Sequence, residues 1–306
     1  MLIRHAKRTI NYNLPTNTIF KRSVHNDFFR VSKQSHEGIT LIRELFGEDS
    51  EMTHTAINLF HNTYLPRYSE AHPMMKMNLA LENLNETNQK IAKYLENNRD
   101  FARKFSLMHM HIPGLHSIIM DVYPEVLFRL YVIPPNQVHA SHADWSQPFL
   151  RHPHRYDFIS LPLVGSLLNQ RSMEIKDGPK IWNKYRFSSA VTNDAPVLQT
   201  DSKVSMRLLP IEQYTAGQAY MMQYPEIHRA GFIPDDSKND WSIVFFLEFR
   251  DQVKETPAYS RHLLSAVPEY EKLYKKPTEK ELDQLLDSII SRLRMCNATL
   301  KLRCQA

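Results

Sequence analysis

The segment Leu150-Arg151-His152-Pro153-His154-Arg155-Tyr156-Asp157-Phe158 carries two histidines one residue apart. On an extended backbone side chains alternate with period two, so His152 and His154 project to the same face, where two neutral imidazoles can share one metal ion. Two nitrogens are an incomplete set. A third donor from elsewhere in the fold would close a facial triad and leave positions open for a substrate and for oxygen. The chain contains 15 histidines, so the pair by itself is also compatible with ordinary surface or core histidines.

Other histidines read differently. His109 and His111 alternate with Met108 and Met110, a pattern suited to a packed extended segment, with a soft, copper-like site as the alternative. His139 and His142 stand three apart just ahead of the pair; they read as loop residues, with a place at the rim of the site as the alternative.

Three textures must position these side chains. From about His36 to Ser106 the pattern is helical. Ile39, Leu41, Ile42, Leu45 and Phe46 form an apolar stripe that stops at Gly47. A second helix is expected over Met52 to Tyr64, ending at Leu65-Pro66, and a third over Pro73 to Asn98. From about Tyr123 to Arg250 the pattern turns to short strands. Val126, Phe128, Leu130 and Val132 alternate with other residues. Further strands are expected over 157–165, 167–175, 181–187, 204–209, 219–223 and 241–249, as in a sandwich or a barrel. In the tail, Thr278 and Glu281 are spaced as a capping box ahead of the apolar face Leu282, Leu285, Leu286, Ile289, Ile290 and Leu293.

A second segment, Gly217-Gln218-Ala219-Tyr220-Met221-Met222-Gln223-Tyr224-Pro225-Glu226-Ile227-His228, reads as a turn, a strand, a proline-containing corner and a histidine. Together the two segments resemble the paired motifs of the cupin family. The first continues through Ile159-Ser160-Leu161-Pro162-Leu163-Val164-Gly165, with His154 and Gly165 eleven positions apart. Gly217 and His228 are also eleven apart, similar to the spacing from the opening glycine to the metal-binding histidine in the family's second motif. Trp241 to Phe246 resembles the strand that closes the barrel. The resemblance spans residues 123–250. It implies an antiparallel double-stranded β-helix with His152, His154 and His228 as metal ligands.

The family's glutamate would fall on Phe158 or Ile159, neither of which binds metal. Asp157 is adjacent, but its strand parity is wrong unless the chain bulges there. Pro225 and Phe232 stand where the family commonly has glycine and asparagine. Three histidines without a carboxylate look most similar to the thiol dioxygenase branch, which holds ferrous iron. The resemblance therefore implies Fe(2+), with Zn, Ni or Mn as alternatives, and it disfavours an oxoglutarate-dependent oxygenase.

An all-histidine site leaves the metal its full charge, which favours an anionic substrate clamped by a guanidinium. Arg129 stands among Phe128 and Leu130. If the apolar set of that strand lines the barrel, Arg129 points outwards; if that set faces the helices, Arg129 and Leu127 point inwards. The helical region needs an apolar surface to cover, which favours the second arrangement and makes Arg129 a substrate anchor. Arg229 ranks below it. Tyr220 is a candidate pocket phenol, with an ordinary core position as the alternative.

Composition excludes several classes. No Gly-x-Ser-x-Gly, phosphate loop or Gly-x-Gly-x-x-Gly occurs among the seven glycines, against a kinase, a Walker-type NTPase or a Rossmann dehydrogenase. The net charge of +5 is scattered, against a nucleic-acid partner. No apolar run nears the ~20 residues of a membrane span. Only Cys296 and Cys304 are present, which suggests a reducing compartment. A cytoplasmic location is expected, with mitochondrial targeting or unconventional export as alternatives to a flexible basic arm at the N-terminus.

The expected class is α+β: a cupin-type antiparallel β-barrel with a helical N-terminal region and a C-terminal helix. The expected divisions are a basic arm (1–35), a helical region (36–120), a barrel (121–252) and a C-terminal helical extension (253–306). The expected function is a non-haem iron dioxygenase or oxygenase acting on a small polar or carboxylate-bearing molecule with O2. A redox-inert metal isomerase, lyase or hydrolase and a non-catalytic ligand-binding or regulatory barrel are the alternatives. The helical region is the candidate surface for a homodimer or a macromolecular partner.

Overall fold

The computed structural model describes residues 35–61, 76–110, 114–135, 151–187, 198–233, 241–249, 256–261 and 275–303. Residues 1–34 of the basic arm, His111, His139 and His142 lie outside them. Five helices are described: α1 (Ser35–Phe46), α2 (Glu51–Phe60), α3 (Leu81–Asn97), α4 (Arg99–Phe105) and α5 (Glu279–Arg303). Gly47 ends α1 with φ +86°, and the Ser50 hydroxyl caps α2 by accepting from the Thr53 amide at 3.0 Å.

Twelve strands among the described residues form two six-stranded antiparallel sheets. They are β1 (Lys76–Asn78), β2 (His116–Val122), β3 (Val126–Ile133), β4 (His152–Pro153), β5 (Phe158–Val164), β6 (Ser166–Ile175), β7 (Trp182–Phe187), β8 (Leu198–Thr215), β9 (Gln218–Met222), β10 (Ile227–Ile233), β11 (Ser242–Phe249) and β12 (Thr256–Ser260). The first sheet runs β1-β9-β5-β11-β3-β2, the second β12-β7-β8-β6-β10-β4. Gly165, at φ +76°, is the single residue between β5 and β6, and it swings the chain from one sheet to the other in a conformation glycine adopts without strain. Val244, Phe246, Tyr220 and Phe158 of the first sheet pack with Leu167 and Tyr214 of the second, so the two sheets enclose one interior as a nearly closed barrel. The α+β class, with its antiparallel barrel, helical N-terminal region and C-terminal helix, is the architecture observed.

The outer face of the first sheet carries the larger core. Val126, Phe128, Leu130 and Val132 of β3 and Ile243, Phe245 and Leu247 of β11 pack with Leu41, Ile42 and Phe46 of α1, Ile91 of α3 and Leu286 and Ile289 of α5. The second of the two arrangements open for β3 is therefore realised, because the helices bury their stripes on its apolar face. The capping box of α5 forms as spaced: Thr278 N donates to Glu281 Oε2 at 2.8 Å and Glu281 N to Thr278 Oγ1 at 3.3 Å.

Some elements depart from the sequence pattern. The third helix does not reach back over residues 76–78; they form β1, which pairs along β9 from Lys76 opposite Tyr220 to Asn78 opposite Gln218. Strand β8 is far longer than 204–209, because β6 and β7 pair with successive halves of it. Strands β2, β4, β10 and β12 also join the sheets. Strands β4, β10 and β12 pair with segments far along the chain, while β2 pairs with β3 across a three-residue turn.

Candidate metal centre

Three elements bring the histidines together. Strand β4 supplies His152, the turn after it His154, and β10 supplies His228, which lies directly opposite His152 in antiparallel register. One nitrogen from each ring lies within 4.8 Å of the other two, and this is the one such group of metal-capable side chains among the described residues. The ring centroids are 5.0 Å (His152–His154), 5.4 Å (His152–His228) and 5.0 Å (His154–His228) apart. His228 is buried, while His152 and His154 are half-buried, so the group opens on their side.

The orientation of His228 is set from behind. Its Nδ1 lies 2.8 Å from Asn169 Oδ1 on β6, so Nδ1 carries the proton and Nε2 keeps its lone pair. That Nε2 stands 2.8 Å from Nε2 of His154. Two imidazole nitrogens each about 2.1 Å from one ion at about 90° stand about 3 Å apart, so the spacing suits a shared ion. Burial, with further help from His152 and Arg151, holds His228 well below the usual imidazole pKa and keeps it neutral, the form a metal requires. The donor set therefore fits a divalent metal of the imidazole-binding kind.

Aromatic rings wall the interior. Phe158 lies 4.6 Å from the His154 ring and 5.7 Å from His228, and stacks on Phe246 at 4.5 Å. Tyr156 lies 5.1 Å from His154. Tyr220 is fully buried 6.0 Å from Phe158 and 4.4 Å from Tyr214, and burial pushes its phenol well above the usual range. It is an interior phenol, reached from the histidines across Phe158.

The remaining candidates have other contacts. Asp157 precedes β5, and its Oδ1 accepts the Tyr224 amide at 2.7 Å, which ties the corner before β10 to the start of β5. Arg129 points inwards, as β3 requires, but its Nη1 lies 2.6 Å from Glu248 Oε1 and donates to the Tyr131 hydroxyl at 2.6 Å. Glu248 is fully buried and Arg129 almost so. The interior cation opposite His228 is instead Arg171 of β6, buried, 3.2 Å from Glu212 and 3.8 Å from Glu226. Neither Asn169 nor Arg171 was singled out in the sequence. Their signal was the alternation Leu167, Asn169, Arg171 in an expected strand, where polar residues share the inward parity of an apolar one. At the other end of β2, His116 is 3% exposed and 5.2 Å from His109, with burial pulling it down to about 4.

No helix among the described residues is long and apolar enough to cross a membrane. No family model and no curated protein matches the sequence. Solved structures similar to parts of it include the 11S globulin from Wrightia tinctoria, at 9% identity and a TM-score of 0.27 over 46% of this chain and 26% of that one. Another is the oxalate decarboxylase from Lactobacillus farciminis, at 13% identity and 0.25 over 49% and 32%. The chain spans about a quarter and a third of those two proteins. Hydroxypropylphosphonic acid epoxidase from S. wedmorenis is similar at 10% identity and 0.26 over 72% of this chain and 96% of that one.

Proposed function

We propose that the chain is a metal-dependent enzyme of cupin type, a non-haem iron oxygenase or dioxygenase acting on a small polar molecule with O2. The observation that carries this reading is the convergence of His154 Nε2 and His228 Nε2 at 2.8 Å, with His152 beside them and the far nitrogen of His228 held by Asn169. His152, His154 and His228 would hold Fe(2+), which would supply binding of substrate and oxygen and electron transfer between them.

The residues around the triad have separate tasks in this reading. Phe158 and Phe246 exclude water from one side and leave the approach past the half-buried His152 and His154. Arg171, Glu212 and Glu226 present charges of both signs next to His228, suited to a polar molecule with both donor and acceptor groups. Arg129 contributes to the interior through its pairing with Glu248, and Tyr220 contributes its phenol edge.

Reconstitution of the chelated protein with Fe(2+), Zn(2+), Ni(2+) or Mn(2+), followed by metal analysis and oxygen electrode measurements on a panel of small amino and carboxylic acids, tests the reading. One equivalent of metal and substrate-dependent oxygen uptake with iron alone are expected. One equivalent of metal without oxygen uptake would move the protein to the redox-inert class, and failure of all four metals to bind would remove the metal from the reading.

A further inference from the structure

Residues 107–110 and 114–117 form two arms that face each other where β2 begins. Leu107 and Ser117 exchange backbone hydrogen bonds of 2.9 and 2.8 Å, and Met110 N donates to the Leu115 carbonyl at 2.7 Å. Leu115 and Met110 pack inside the barrel with Tyr131, Ile133 and Tyr156, and Met110 Sδ lies 3.8 Å from Arg129 Nη1. His116, the next residue along, takes the other face of the sheet, across from Val132 of β3. The first arm also holds the chain entering α5, because the backbones of Met108 and Lys275 exchange bonds of 2.8 and 3.0 Å.

Two imidazoles join the arms. Gly114 N donates to His109 Nδ1 at 2.9 Å, and His109 N donates to His116 Nδ1 at 3.4 Å. A backbone N–H only donates, so both Nδ1 atoms offer lone pairs and each ring carries its proton on Nε2. An imidazolium has no lone pair. Protonating either ring therefore sets a donor against a donor, and with centroids 5.2 Å apart two charged rings would repel. His109 stands at φ +54°, the one positive φ among the described residues other than glycine, a conformation that these bonds must hold in place.

The surroundings fix the sense of the response. Among the described residues, the charges acting on the pair from the start of α5 are Lys275, which disfavours a proton on His109, and Glu281, which favours one. The charges of α4 are engaged elsewhere: Arg99 with Asp287, Arg103 with Asp283 and Asp100, and Lys104 over the Phe105 ring. Burial is the largest influence on both rings, holding His109 below the usual 6.5 and His116 at about 4. The pair is neutral at pH 7 and takes up protons only as pH falls below 6.5.

We propose that His109 and His116 form an acid-released clasp, which holds the two arms closed over the Arg129 end of the barrel in neutral solution and frees them on protonation. Release withdraws Met110 and Leu115 from the interior and loosens the start of α5. It uncovers the side of the barrel where Tyr156 lies 5.1 Å from the His154 ring, so the freed end leads towards the triad. The clasp stands whether or not the triad holds a metal, because neither imidazole belongs to it.

Hydrogen–deuterium exchange of the full-length protein at pH 7.0 and 4.5, corrected for the intrinsic effect of pH, tests the clasp. Peptides covering residues 107–117 should lose protection by about tenfold or more at the lower pH, while β11, inside the first sheet, keeps its own. His109→Asn with His116→Asn keeps an acceptor near each Nδ1 but takes up no proton, so its arms should stay protected at both pH values. If that variant does not fold, the ring 15N shifts of the wild-type protein decide the matter: both rings should carry only the Nε2 proton at pH 7 and gain the second as the arms open. Unchanged protection at pH 4.5, equal loss in the arms and in β11, loss that persists in the double variant, or a ring protonated on Nδ1 at neutral pH would each overturn the clasp.

Discussion

His154 and His228 stand 74 positions apart in the chain, and their Nε2 atoms meet at 2.8 Å inside the barrel. Each of His152→Ala, His154→Ala and His228→Ala should abolish stoichiometric binding of Fe(2+) or Zn(2+), read by metal analysis after dialysis. Far-UV circular dichroism should be unchanged, because the barrel core and the helix-covered sheet bury their apolar residues without help from an ion. A variant that keeps one equivalent of metal would remove that residue from the set.

Asn169 is expected to act through His228. Asn169→Ala removes the acceptor at Nδ1, lets the ring change tautomer and should weaken metal binding by about 10–100-fold, the usual effect of removing a group that orients a ligand. Asn169→Asp keeps an acceptor at the same place and should retain most of the affinity. The ring 15N shifts of His228 in the metal-free protein report the tautomer directly. Wild-type shifts in Asn169→Ala would show that the amide does not hold the ring.

The pair Arg129–Glu248 predicts an asymmetric stability effect. Glu248→Ala leaves a guanidinium buried without its carboxylate and should cost about 3–5 kcal/mol in urea unfolding. Replacing both, as Arg129→Met with Glu248→Met, should cost clearly less, since no charge is then stranded. Equal losses in the single and double variants would mean that the pair stabilises the barrel by more than the cost of burying it.

His116 gives a pH dependence with a defined sign. Its folded-state value of about 4 lies below the 6.5 of an exposed imidazole, so the unfolded chain binds the proton more readily. Its contribution is fully present above pH 6.5 and is lost as pH falls from 6.5 to 4, by about 3 kcal/mol at most. His116→Asn should flatten the stability curve across that window relative to wild type. An identical slope in the two proteins would show that His116 is as readily protonated in the folded state as in the unfolded one.

Features written in local periodicity were legible in the sequence alone. The His152-x-His154 pair, the strand at residues 126–133, the stop at Gly47 and the capping box at Thr278 and Glu281 each depend on neighbours a few positions away. Backbone geometry turns those spacings into faces, turns and caps. The expected motif spacings around Gly165 and Gly217 likewise fall at turns, where both residues adopt positive φ.

What tertiary structure decided is which faces meet. Arg129 could point either way until the helices covered Phe128 and Leu130; once they did, it met Glu248 across the pairing of β3 with β11. Strands β1 and β12 are too short to leave a periodic signal and exist because β9 and β7 offer them an edge. Asn169 and Arg171 became neighbours of His228 only through the register of β6 against β10. Pairing register is a property of two distant segments at once, and hydrophobic alternation within one of them states a parity but not a partner.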